Sequence, residues 1–141
     1  MIHYDIDTTE NGYDSIEGNA ATVDELKKVL LKDSRIQDMI GYLSIDEAPE
    51  ISICIAAESS LGFFISITDD TDDTQLTLGD RNALSDTIDL WGDELYVSKG
   101  LFIPFEDGWS ALEEYINNGK LSDKINWISS ADIPEDGNYI C

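Results

Sequence analysis

The chain reads as an α+β protein: an antiparallel-type central sheet carrying a single layer of two main helices, about residues 22–33 and 106–118, within one domain spanning 1–141. Three observations predict this. Several short segments alternate apolar and polar residues with the two-residue period of half-buried strands. Two longer segments place apolar residues on one helical stripe. The 141 residues match the size of one core, and no repeat, low-complexity linker or compositional break divides them. Leucine, isoleucine, valine and phenylalanine supply 38 residues, enough to fold despite the charge.

From the N-terminus, Ile2, Tyr4 and Ile6 alternate with His3 and Asp5 as a strand. Asp7 to Ala20 is acidic, contains Gly12 and Gly18, and reads as a loop. Thr22-Val23-Asp24-Glu25 has the form of a capping box, so a helix starts there. Val23, Leu26, Val29 and Leu30 form its stripe, and Lys27, Lys28, Lys32 and Arg35 lie in or just beyond its C-terminal half, where the helix dipole favours cations. A short segment with Met39, Ile40, Tyr42 and Leu43 follows, to which the pattern gives no type.

Ile51, Ile53 and Ile55, and then Leu61, Phe63, Ile65 and Ile67, predict two strands joined as a hairpin through Glu58-Ser59-Ser60. Thr74 to Leu78 is a third strand, entered through the acidic turn Asp69-Asp70-Thr71-Asp72-Asp73 and closed by Gly79-Asp80. Residues 81–93 support no firm element. Tyr96 to Ile103 should be strand interrupted at Lys99-Gly100, and Pro104 ends it or prepares a helix. Trp109, Leu112 and Ile116 follow Phe105 on one helix face, which Gly119 ends. Ile125 to Ile128 predicts a last strand.

The formal net charge is −22, from 30 acidic and 8 basic residues. Such a surface repels nucleic acid and anionic membranes, whose binding draws on Lys and Arg displacing counterions. A basic protein partner is the natural complement; solubility alone, or adaptation to high salt, explains the charge equally simply. Residues 36–80 hold ten carboxylates and no Lys or Arg.

No enzyme motif is present. The single histidine, His3, cannot form a His pair and reads as a strand residue, and the nucleophile elbow, phosphate-binding loop and zinc helix are absent. Neither a cofactor nor a metal is expected. The Asp69 to Asp73 cluster lacks the glycine and glutamate of an EF-hand loop, which leaves it as a solvated turn or a partner-facing patch. Cys54 and Cys141 match no disulfide framework or CxxC motif, so both are expected to be reduced, with Cys54 in the core. The N-terminus lacks a basic region followed by an apolar stretch, and no apolar run reaches the ~18 residues of a membrane span. The expected location is cytoplasmic. Trp109 and Trp127 read as core, while Trp91, set among Asp86, Asp89, Asp93 and Glu94, reads either as core or as an interface anchor.

Phe102-Ile103-Pro104-Phe105-Glu106-Asp107, Trp109, Ala111-Leu112, Tyr115, Gly119-Lys120-Leu121 and Ile125-Asn126-Trp127 form a pattern: a strand ending in proline, a helix, a glycine and a hydrophobic-Trp pair. With Leu61 to Ile67 and Gly79-Asp80, this stretch resembles the first family of Imm immunity proteins of bacterial polymorphic toxin systems, over roughly residues 45–128. The resemblance implies an α+β fold and inhibition of a cognate toxin, often a nucleic-acid deaminase. It transfers no contact residue.

The function expected is therefore that of an immunity protein, monomeric when free, that covers the basic active-site groove of a deaminase or nuclease toxin. An acidic protein-binding module or nucleic-acid mimic unrelated to toxins is the alternative. The expected contacts are Asp69, Asp70, Asp72, Asp73, Asp80, Asp86, Asp89, Trp91, Asp93 and Glu94, with no direct binding of nucleic acid or membrane.

Overall fold

The computed structural model describes residues 1–8, 14–32, 35–71, 73–90 and 94–140. Strands β1 (Ile2–Thr8) and β2 (Asp14–Ala20) lead into helix α1 (Val23–Leu30), followed by the short strands β3 (Leu31–Lys32) and β4 (Arg35–Ile36). Then come β5 (Met39–Ile45), β6 (Ala48–Glu58), β7 (Gly62–Thr68), β8 (Thr74–Leu78), β9 (Thr87–Asp89), β10 (Tyr96–Ser98), α2 (Phe105–Asn118) and β11 (Asn126–Ser129). Seven strands form one sheet in the order β11-β8-β7-β6-β5-β1-β2. Every neighbouring pair is antiparallel. The α+β class and the placement of two helices in one layer hold.

The period-two pattern decides which side chains meet the helices. Ile2, Ile6, Leu43, Ile53, Ile55, Phe63, Ile65 and Ile67 share one face, and Val23, Leu26 and Leu30 of α1 and Trp109, Ala111, Leu112 and Tyr115 of α2 cover it in a single core. Thr22 caps α1 as its sequence predicts: its hydroxyl accepts the Glu25 N–H at 3.1 Å, while the Glu25 carboxylate reaches back to Ala21 N–H at 2.8 Å. The helix stops at Leu30, short of residue 33, because Leu31 is already extended. Gly119, at φ 67°, ends α2 in the left-handed conformation that a side chain disfavours.

Within α2, Gly108 lies over Phe63. A Cβ there would stand 2.7 Å from the Phe63 ring, so the missing side chain lets the helix approach β7. Phe63 is fully buried and makes an edge contact with Phe105 at 5.3 Å, with Trp109 6.1 Å away. Between the helices, Lys27 Nζ lies 5.7 Å above the Phe105 ring and 3.9 Å from Glu106.

Half of the opposite sheet face is covered by non-periodic chain. Ile40, Ala56, Phe64, Leu76, Leu78 and Ile128 meet Leu84, Val97, Leu101 and Phe102, with Ile133, Tyr139 and Ile140 of the C-terminal segment packed against them. Buried polar atoms fasten this cover. Ser98 Oγ donates to Leu84 O at 2.6 Å and accepts Asn138 N–H at 2.9 Å, and Thr77 Oγ1 donates to Leu101 O at 2.8 Å and accepts Ile65 N–H at 3.1 Å. Each hydroxyl is satisfied twice, as burial requires.

Three expectations are corrected. Residues 14–20 are strand β2, not loop: with few apolar residues of its own, the segment draws its structure from pairing with β1, where Ile16 meets Ile6 and Gly18 meets Tyr4. Residues 96–103 are not one interrupted strand. They form β10, a 3-10 turn at Lys99–Leu101 and a single bridge from Ile103 to Phe63, because Gly100 O accepts the N–H groups of both Gly79 and Asp80 where the chain crosses the end of β8. Cys54 is in the core, 2% exposed, but it is disulfide-bonded and not a reduced thiol. The chain's one other cysteine, Cys141, lies outside the described residues.

Candidate partner interface

The ten acidic and aromatic residues that stand out in the sequence fall into two groups. Asp69, Asp70 and Asp73 lie in the turn between β7 and β8, whereas Asp80, Asp86, Asp89 and Glu94 follow the other end of β8, a strand of five residues or roughly 17 Å. Asp72, Trp91 and Asp93 lie outside the described residues.

Most of these carboxylates shape the chain around them. Asp69 accepts the Thr71 hydroxyl and, at 2.9 Å, its N–H, and these bonds hold its carboxyl below the usual range. Asp73 accepts from Gln75 at 3.0 Å and from the Ser129 hydroxyl at 3.2 Å, joining the turn to β11. Asp80 accepts Asn82 N–H at 2.9 Å and starts a 3-10 turn. Asp86 stands 3.6 Å from Lys99 Nζ. One Asp89 oxygen accepts Glu94 N–H at 3.2 Å, and Glu94 has a φ of 64°. Asp70 and Glu94 are exposed. Among the described residues, no three His, Cys, Asp or Glu side chains converge as a metal-binding group.

A different surface emerges from the strand register. Among the described residues, the second sheet face is covered over β8, β11, β7 and the Ile40 end of β5 but open over β2, β1 and the Tyr42–Ser44 part of β5. Glu17 of β2, Asp5 of β1, Tyr42 of β5 and Cys54 of β6 are direct neighbours in one row across the sheet. Glu17 and Asp5 are exposed, and Tyr42, in an interior strand, is 56% exposed, more than any other large apolar side chain described. Two adjoining depressions of about 420 and 250 Å³ share Tyr42, Ser52 and Ile53 in their walls. No Lys or Arg occurs in β1, β2, β5, β6 or β7. Sequence clustering misses this row because its members are far apart in the chain. The alternation of Tyr42 and Ser44 with Leu43 and Ile45 was the only local signal.

His3 closes one edge of this face. Its two ring nitrogens meet Asn19 Oδ1 and Asp46 Oδ1, an arrangement that suits the imidazolium, which donates from both. The Asp46 hydrogen bond first, and the Asn19 bond second, raise the His3 pKa above its ordinary 6.5. Because the folded value is raised, this contribution to stability is complete below pH 6.5 and is lost as pH climbs through the folded value. Proton-carbon NMR titration should place the His3 midpoint above 6.5, and His3→Gln should remove that part of the pH dependence of stability; a midpoint at or below 6.5 contradicts the bonding.

Elsewhere, a groove of about 430 Å³ runs along the outer side of α2, past Asp107, Glu113, Glu114 and Lys124. Another of similar volume lies between Ile2, Val23, Ile51 and Ile116. Among the described residues no helix is long and apolar enough to cross a membrane. No protein-family model, curated protein or solved structure matches the chain.

Proposed function

We propose that the chain is an immunity protein that binds a cognate toxin of the nucleic-acid-targeting kind, a deaminase or nuclease, and neutralises it by covering its basic active-site groove. The observation that carries this reading is the charge of −22 on a folded α+β domain, of which all seven strands of the main sheet contribute no Lys or Arg. A groove that holds nucleic acid is lined with cations, and a surface of opposite sign speeds encounter with it and selects against other partners. The resemblance of residues 45–128 to the first Imm family supports the same reading. Like charge also keeps copies of the chain apart, so the free protein is a monomer in this proposal.

The place of action in this proposal is the cytoplasm, where such a toxin meets nucleic acid. Disulfides are rare there, so the reading requires an interface that survives opening of the Cys54 bond. Co-expression tests the function. The chain should restore growth to cells producing the toxin encoded beside it and should leave cells poisoned by unrelated toxins unprotected. Equal protection against all of them, or none against any, removes the reading.

A further inference from the structure

We propose that the open half of the second sheet face, centred on Tyr42 and flanked by Asp5 and Glu17, is the surface that receives an arginine-bearing partner protein. The inference rests on the reading of the chain as a binder of a basic protein, and it names the face used. Glu17 and Asp5 are directly opposite each other on neighbouring antiparallel strands. Like charges in that position face each other across roughly 5 Å and destabilise a sheet. No Lys or Arg side chain from their own strands or from β5, β6 or β7 relieves them, and His3, at the edge of the same face, is already bonded to Asp46 and Asn19.

Tyr42 completes the site. It neighbours Asp5 in the same row and exposes 56% of its surface from an interior strand. The helices, the residue 79–103 cover and the C-terminal segment as far as Ile140 pack on other parts of the sheet, and the buried, disulfide-bonded Cys54 borders Tyr42 in the row. A guanidinium suits this row: its planar fork bonds to carboxylates in charge-assisted pairs, and its face stacks on a phenol ring. Lysine has no such planar fork, and a nucleic-acid backbone or an anionic membrane meets only repulsion. The acidic turn at Asp69 to Asp73 competes poorly, since Asp69 and Asp73 already accept hydrogen bonds from Thr71, Gln75 and Ser129.

Titration of the isotope-labelled full chain with hexa-arginine at low salt, followed by NMR, tests the face. Saturable shifts should centre on Asp5, Glu17, Tyr42, Ser44 and Ser52. The double variant Asp5→Asn/Glu17→Gln should weaken peptide binding about tenfold and Tyr42→Ala about three- to fivefold, in line with charge-assisted and cation–π contacts. Neutralising Asp69, Asp70 and Asp73 should change it less than twofold. The double variant removes like-charge repulsion and keeps every backbone ladder bond, so it should fold. Shifts centred on the β7–β8 turn or spread over all acidic loops overturn the proposal, as does unchanged binding by the double variant. A failed growth rescue with this map intact removes the toxin and leaves the face. A map elsewhere with rescue intact removes the face alone.

Discussion

Phe63→Ala is expected to lower stability by about 3–5 kcal/mol, the range for deleting a buried aromatic ring from a close-packed core. The reason lies in how the core is built. Phe63 is 0% exposed and touches both Phe105 and Trp109 at the point where α2 comes closest to the sheet. Gly108 has no side chain because that ring occupies the space. Removing the ring leaves a void beneath a helix that cannot settle into it, since the helix is also held by Trp109, Leu112 and Tyr115 and by the Phe63–Ile103 backbone bonds at 2.8 and 2.9 Å. Phe63→Leu should cost less than about 1.5 kcal/mol, because it keeps much of the volume. Urea denaturation measures both, and equal losses for the two variants contradict this packing.

Reduction is expected to lower stability by about 2–4 kcal/mol, the usual contribution of a disulfide. Cys54 is in the interior strand β6, level with Tyr42 and Ser66. The C-terminal segment reaches this side of the sheet through Tyr139, Ile140 and the Asn138 bonds to Ser98 and Tyr96. Opening the bond releases a constraint on β6 at a buried position. The fold should persist, because both main helices pack on the other face. Denaturation with and without a dithiol, alongside Cys54→Ser, separates the bond from the side chain: the serine variant should match the reduced protein and should not respond to reductant. Loss of partner binding on reduction contradicts cytoplasmic action.

The elements legible from sequence were those that bring their own periodicity. Helix α2 declares its buried stripe through Trp109 and Leu112 and its end through Gly119, and the β6–β7 hairpin declares itself through alternating isoleucines. Strand β2 does not, because Ile16 and Gly18 gain their meaning only from Ile6 and Tyr4 across the ladder. The cover over the second face was equally hidden: Leu84, Val97 and Leu101 come from 3-10 turns and short strands without a common period. The disulfide state of Cys54 likewise depends on the folded path and not on sequence spacing.

The same distinction governs the candidate interface. Asp69 to Asp73 draws attention because its carboxylates cluster in sequence, yet Asp69 and Asp73 are put to use by the turn itself, as the Thr71 and Gln75 bonds show. Glu17, Asp5 and Tyr42 are separated in the chain and become neighbours only through the pairing of three strands. Charge was readable as a total. Its presentation on an open sheet face required the register.

The most direct measurement of the central claim is the catalytic activity of a purified toxin domain of the proposed kind, found by sequencing the genes beside this chain's own, assayed on its nucleic-acid substrate as the chain is added. Activity should fall linearly to zero at one chain per toxin, with the inhibition weakening as salt rises because the proposed contact is electrostatic. Full activity in the presence of excess chain at low salt would contradict the account.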